Sequence, residues 1–382
     1  MAILPAQRQL FDIPDGIAYF NCAYYSPLLN ESKARLLAGV AEKSHPWERL
    51  PSSFFDDAET IRSLAARIFG GEGDGYAVIP AASYGLSAAA RAIEPTLCRG
   101  DRILYAAEEF PSGVLPWMRV AKQTGAELVA APMPQGGNWT EAILGRIKKG
   151  VKVVAASTCH WTNGARVDLQ PIGEACREVG SVLVVDATQS LGAMPFSFDE
   201  VQPDFLVAAG YKWLLSPYGF GLFYVAEQWR DARPLEETWL ARDNARDFAG
   251  LADYSDGYLP GARRFDVGET CTSTILPGAI AAMEQIASWG VSNIAESLGE
   301  INERIAASLK RRGFCLPEPS LRSPHLIGAQ MPAGFPSDLV GELRARKIFV
   351  SQRASAIRIA PHLYCTEQDI DRLDKALDEL CQ

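Results

Sequence analysis

The sequence predicts an α/β protein: a large domain on a mainly parallel sheet of about seven strands, followed by a smaller α+β C-terminal domain. Three observations carry this. Between residues 76 and 226, short apolar runs alternate with helix-like segments. Those runs are continuously apolar instead of alternating, the pattern of strands covered on both faces. After Tyr224 the regularity breaks into polar, Arg- and Asp-rich sequence. At 382 residues the chain is also longer than one ordinary core requires, so two domains are expected.

The runs at residues 76–80, 102–106, 127–131, 151–156, 182–186, 204–208 and 219–225 read as strands. Helix-like segments near 84–94, 115–124 and 140–148 supply the crossovers that parallel strands need. Residues 227–265 read as loops with short helices, and helices are expected over 278–288 and 293–312. From residue 325 strand and helix alternate on a smaller scale, in segments 325–331, 337–346, 349–351, 356–359 and 367–379. The expected division is an N-terminal segment, 1–19, joining the small domain; a large domain, 20–265; and the small domain, 266–382.

Composition narrows the function class. The chain is 48% hydrophobic and 22% charged, as globular proteins are. Its net charge of -9 argues against a nucleic-acid footprint. The eight cysteines are scattered with no Cys-x-x-Cys pair, and the four histidines lack metal-ligand spacing. No basic segment leads into an apolar h-region and no apolar run is long enough for a bilayer, so a cytoplasmic protein without a membrane partner is expected. Gly71-Glu72-Gly73-Asp74-Gly75 looks like a phosphate loop but precedes a strand and is acidic, which makes it a surface turn.

Chemistry concentrates at two strand ends. Val184-Val185-Asp186-Ala187-Thr188-Gln189 ends an apolar run in an acid, and Ala209-Gly210-Tyr211-Lys212-Trp213 ends the next in a lysine. Open α/β sheets put ligands at strand ends. A pyridoxal phosphate (PLP) enzyme needs a lysine for the Schiff base and a carboxylate for the pyridinium nitrogen. Apolar neighbours on both sides of Lys212 would lower its pKa from the ordinary ~10.4; the plainer alternative is a lysine snorkelling from a strand end. Asp186 would be costly at its strand end without a positive partner, unless it merely caps a turn. Gln189 stands on the following turn, within reach of the cofactor's phenolic oxygen. Ala82-Ser83-Tyr84-Gly85 lies where a strand turns into an Ala-rich helix, so Ser83 is expected as N-cap and phosphate ligand, or as a capping serine only.

These motifs carry a family resemblance. The run Asp186-Ala187-Thr188-Gln189-Ser190-Leu191-Gly192, then Pro203-Asp204-Phe205 and Tyr211-Lys212, resembles the class V aminotransferase superfamily of fold-type I PLP enzymes. That group includes cysteine desulfurases, kynureninase and isopenicillin N epimerase-like proteins. The resemblance extends from Tyr19-Phe20-Asn21-Cys22-Ala23 through Arg264-Phe265-Asp266-Val267-Gly268 to Arg358-Ile359-Ala360-Pro361-His362-Leu363-Tyr364-Cys365-Thr366, nearly the whole chain.

The resemblance implies the fold-type I architecture, PLP as cofactor and an amino-acid substrate. It assigns the Schiff base to Lys212, the pyridine nitrogen to Asp186 and the phenolic oxygen to Gln189. Phe110 matches the aromatic that stacks on the ring, and Asn163 an amide near the substrate carboxylate and cofactor oxygen. Arg358 matches the substrate-carboxylate clamp and Arg353 a second arginine beside it. Ala82, Ser83 and Tyr211 fall at the phosphate end. Tyr24 or Tyr25 is expected to face the site, and the resemblance implies a homodimer with shared sites.

Departures matter as well. Tyr211 stands where relatives often have His, and Ala209 where they often have a phosphate-binding Ser, leaving Thr270 or Thr272 of a neighbouring subunit as replacement. The loop that carries the nucleophilic cysteine in desulfurases reads Ser351-Gln352-Arg353-Ala354-Ser355-Ala356, and Cys365 stands where relatives have Asn. Ordinary cysteine desulfuration is therefore not expected. Aminotransferase ranks first, with a β-lyase or epimerase as alternatives. A nicotinamide-dependent oxidoreductase lacks its Gly-x-Gly-x-x-Gly fingerprint; a non-catalytic relative is opposed by the joint presence of Lys212, Asp186, Gln189 and Arg358.

Overall fold

The computed structural model describes residues 2–353 and 355–381. The chain begins with β1 (Ala18–Tyr19), α1 (Asn30–Lys43) and α2 (Asp56–Phe69). The repeating part runs β2 (Tyr76–Ile79), α3 (Ala82–Ile93), β3 (Arg102–Ala106), α4 (Pro111–Thr124), β4 (Glu127–Ala131), α5 (Trp139–Leu144) and β5 (Val151–Ser157). It continues through α6 (Leu169–Val179), β6 (Val182–Asp186), α7 (Phe198–Val201), β7 (Phe205–Ala209) and β8 (Gly221–Val225). The C-terminal part holds α8 (Leu276–Trp289), α9 (Val291–Arg311), β9 (Ile327–Gln330), α10 (Leu339–Ala345), β10 (Ile348–Phe349), β11 (Ser351–Arg353), β12 (Ala356–Ile359) and α11 (Glu367–Leu380).

The apolar runs of the repeating part form one seven-stranded sheet, in the order β2-β8-β7-β6-β5-β3-β4. Strands β3 to β7 pair in parallel, whereas β8 is antiparallel to both β7 and β2. The continuous hydrophobicity is explained by two cores, one on each face. Val184, Val207 and Ile79 join the core under α3 and α4, while their neighbours Val185, Leu206 and Val78 join the other.

Some boundaries differ from the sequence expectation. Helix α4 starts at Pro111, four residues before the predicted start. Pro111 sits at the first helical position, where a missing N–H costs nothing, and Pro116 comes only one turn later. Helix α5 stops at Leu144, short of the predicted residue 148, with Gly145 as its C-cap. Residues 73–75 form a short 3-10 turn ahead of β2.

A buried ion pair ties α2 to the sheet. Arg62 on α2 holds Asp266 through two nitrogens, at 3.0 and 2.5 Å. Asp266 Oδ1 also accepts from Val78 N at 2.7 Å. The C-terminal elements include the three-stranded sheet β11-β12-β9. The N-terminal segment packs on this end of the molecule: β1 pairs in parallel with β10, and Arg8 bridges Asp369 on α11 at 2.9 Å. Among the described residues no helix is long and apolar enough to cross a membrane.

Candidate active site

A cavity of about 520 Å³ opens at the C-terminal ends of β2, β5, β6 and β7. The segments after these strands form its floor, Arg353 and Arg358 come from the small sheet, and Ala23–Tyr25 close it from the N-terminal side.

Lys212 is presented by a tight turn after β7. The turn needs Gly210, where a Cβ would lie 2.5 Å from the Phe220 ring, and is closed by Ser216 N donating to Gly210 O at 3.0 Å. Lys212 is only 8% exposed, and its Nζ lies 5.8 Å from the Phe110 ring centre and 5.6 Å from that of Tyr211. Burial pushes the amine down to about 8, against the opposing pull of Asp186.

Asp186 ends β6 and lines the same cavity. Its Oδ1 accepts from Thr188 N at 2.9 Å, so the turn-capping and functional readings coexist in one carboxylate. Burial raises its pKa, and Lys212 pulls the other way. The Gln189 amide is fixed on both sides: its oxygen accepts from Trp213 Nε1 at 3.0 Å and its nitrogen donates to Ala23 O at 3.2 Å.

The α3 N-terminus forms the next wall. Backbone bonds of its first turn begin with Tyr84 N and Gly85 N, both to Ala81 O, so the Ala82 and Ser83 amides are the open donors of a twelve-residue helix. Ser83 lines the cavity but is not the N-cap. Ala81 holds that position in extended conformation with no side-chain cap, because the helix begins at Ala82, directly after it.

Arg358 on β12 is 1% exposed and anchored by Nε to Ser351 Oγ at 3.2 Å and by Nη1 to Trp161 O at 2.9 Å. Neither it nor Arg353 has an acidic partner among the described residues. Burial, with Arg353 nearby, brings Arg358 down to about 9. Arg353 lies over the Trp161 ring at 5.9 Å. Tyr24 and Tyr25 both line the cavity although about half exposed, and Tyr25 packs against Tyr211 and Tyr218.

Two sequence-predicted residues stand elsewhere. Asn163 is not in the cavity wall: its Oδ1 turns back to accept from Ala165 N at 3.0 Å, and its backbone packs on Gly328, where a Cβ would lie 2.3 Å away. The asparagine thus shapes the loop that offers Trp161 O to Arg358. Thr270, expected as a donor to a neighbouring subunit's site, is buried outside this chain's own cavity, as that expectation allows. Residues missed in the sequence are Glu109, Ser157, Cys159, Trp161, Thr188 and Tyr218, all in the wall. Glu109 and Ser157 adjoined segments already read as strand-end or ring-facing, which was the available signal.

Comparison with known proteins turns this geometry into a family. The Aminotransferase class-V model matches residues 40–373. The chain belongs to the class-V aminotransferase family. It is 26% identical over 327 residues to the uncharacterized aminotransferase YcbU of Bacillus subtilis, covering 85% of this chain and 83% of that protein. It is 25% identical over 296 residues to the isopenicillin N epimerase of Streptomyces clavuligerus, covering 73% of each. The apo cysteine desulfurase of Thermococcus onnurineus NA1 superposes with a TM-score of 0.86 at 21% identity, over 100% of this chain and 99% of that one. That likeness establishes the fold-type I architecture.

As a class-V member the chain is a PLP-dependent enzyme, and its own donor set fits the cofactor. The cavity combines a partly desolvated amine, a strand-end carboxylate, two open amides at a helix N-terminus and an aromatic ring beside the amine.

Proposed function

We propose that this enzyme transfers the amino group of an amino acid or related amine, with Lys212 as cofactor attachment point and general base. One observation carries the reading most: a buried amine brought to about 8 shares a cavity with Asp186 and with Arg358, which has no acidic partner among the described residues. The bound cofactor supplies an electron sink for the charge left when a substrate Cα loses its proton.

The protein's residues divide the remaining work. Arg358 receives the substrate carboxylate with its guanidinium already oriented by Ser351 and Trp161 O. Lys212, near neutrality in its proton affinity, takes and returns the Cα proton. Asp186 would hold a proton on the ring nitrogen, and Gln189, its amide fixed by Trp213, would meet the phenolic oxygen. The Ala82 and Ser83 amides would take the phosphate, with Tyr211 at the same end. Phe110 would cover the ring, and Tyr24 lines the mouth.

A desulfurase is opposed by the site. Strand β11 pairs with β12 up to Arg353↔Ala356, so no extended loop precedes Arg358; Ala354 lies outside the described residues. The cavity's own thiol, Cys159, is buried and pushed up to about 12, far from a thiolate at neutral pH. A homodimer and a cytoplasmic location complete the proposal. Exposed Trp47, Leu50 and Tyr254, at 75%, 68% and 95%, supply apolar surface for a second copy, and the eight free cysteines suit a reducing compartment.

The test is an absorption spectrum of the PLP-loaded protein with amino acids, before and after borohydride, followed by peptide mapping. A reduced adduct on Lys212 and release of a keto acid are expected, and Lys212→Ala abolishes both. Ammonia with pyruvate would make the enzyme a β-lyase instead, and Cα exchange with racemisation an epimerase.

A further inference from the structure

Glu109 is an acid the proposed reaction does not use. It follows β3, lines the cavity, and has no ion-pair partner among the described residues. Its carboxyl accepts from its own neighbour Phe110 N at 2.7 Å and from the hydroxyl of Ser157 at the end of β5. Ser157 is the in-register partner of Asp186 across the β5–β6 pairing. Room for the side chain comes from Gly113 on α4, where a Cβ would stand 3.0 Å from Glu109 Cγ. Glu109, Ser157 and Asp186 share a small space with Leu86 of α3, Gly113 of α4, Ala155, Ala156 and Val184. Its walls are otherwise apolar.

We propose that Glu109 is a positioning residue of the cofactor pocket, whose charge state sets how firmly Asp186 holds a proton on the ring nitrogen. The proposal rests on the PLP reading above.

The physical argument is that of two carboxyls lining one small space on either side of the end of β5, where ionising one disfavours ionising the other. Burial raises the Asp186 carboxyl, and the Lys212 amine pulls it the other way. Glu109 has no such cation. Burial raises it to about 7, with Asp186 adding to the rise, while the Ser157 hydroxyl and the Phe110 amide restrain it. The other titratable group coupled to it is the Cys159 thiol on the loop after β5, which is neutral in this range. Below neutrality Glu109 carries its proton and adds no negative charge beside Asp186. Above it a second negative charge arrives beside Asp186, and positive charge on the ring nitrogen and on Lys212 is favoured.

The test titrates the visible spectrum of the PLP-loaded protein between pH 5.5 and 10 (approximate limits set by the ordinary carboxyl and amine ranges). The wild type should show a step near pH 7 in addition to the Lys212-linked transition. In Glu109→Gln the first step disappears and the second moves down by about one pH unit, as loss of a nearby negative charge requires. In Ser157→Ala the first step moves up, because a bond to the charged carboxylate is lost. Infrared titration of the cofactor-free wild type gives a readout independent of turnover and of Glu109→Gln folding: a protonated-carboxyl band should vanish around pH 7. Identical spectral titrations in wild type and Glu109→Gln, or no such infrared band, would overturn the proposal. A protein that shows no cofactor band at all removes the reading beneath it, and the proposal falls with it.

Discussion

Lys212 carries a testable consequence of its surroundings. A lysine in water is charged up to ~10.4, but burial brings this one to about 8. Only the neutral amine attacks a carbonyl, so the rate at which apoprotein captures PLP should rise with pH to about 8 and then level off. A rate still climbing toward pH 10 would show an ordinary lysine. Arg358 makes a second case. Its guanidinium is buried and held without an acid among the described residues, which suits a substrate carboxylate. Arg358→Ala should lower kcat/KM by roughly 10²-fold, the factor for about 3 kcal/mol of charged hydrogen bonding, while leaving the cofactor spectrum unchanged. Lys212 was legible in the sequence as a charge set in an apolar run, whereas Arg358 was singled out by the family resemblance. Glu109 was not legible: its partner Ser157 is 48 positions away, and only the β3–β5 neighbourhood joins them.

At the scale of elements, the site depends on strand ends being held in register by contacts outside the cavity. Asp266 is the clearest of these, since it binds Arg62 of α2 and the backbone of β2, the strand that leads into Ala82 and Ser83. Asp266→Ala removes the two-nitrogen partner of a buried guanidinium and leaves it only Glu59, at 3.2 Å, as an acid; this should cost about 3 kcal/mol, read as a lower urea midpoint. The turn after β6 has a similar constraint. Gly192 adopts φ +98° with Trp213 O 2.6 Å from where a Cβ would lie, so the Asp186 and Lys212 turns touch there. Gly192→Ala should destabilise by ~1–3 kcal/mol and weaken cofactor retention together, measured by urea unfolding and dialysis. The start of α4 and the place of Ser83 escaped sequence reading for a local reason. A proline or alanine at a helix start satisfies several frames, and backbone packing selects one.

For the whole molecule, two buried histidines govern behaviour in acid. His325 meets the Trp213 ring edge-on at 4.4 Å, and His362, with neither ring nitrogen bonded among the described residues, lies between Trp213 and Trp289. Burial lowers them to about 4 and about 3. The unfolded chain therefore binds more protons than the native one between these values and ~6.5. Stability should be level above ~6.5 on this account and fall as pH drops below it, down to about 4 and about 3. Urea midpoints measured from pH 7.5 to 4.5 (~ values spanning the histidine range) check this, and His362→Phe should flatten the slope. The association proposed for the exposed aromatic surface is also a property of the whole: light scattering should give about twice the mass of one chain, and replacing Trp47 and Tyr254 with Ser should release monomers.

The sequence by itself determined the α/β class, the sheet of apolar runs and the pair Asp186 and Lys212, because these rest on local hydrophobic patterning and on charges that stand out against it. The C-terminal arginines were singled out by the family resemblance and not by local patterning. Tertiary structure decided that β8 runs against its neighbours, that the Asn163 side chain bonds within its own loop, and that Glu109 meets Ser157, the register partner of Asp186. Those outcomes depend on contacts between segments far apart in the chain, where packing and buried hydrogen bonds choose among local conformations of nearly equal energy.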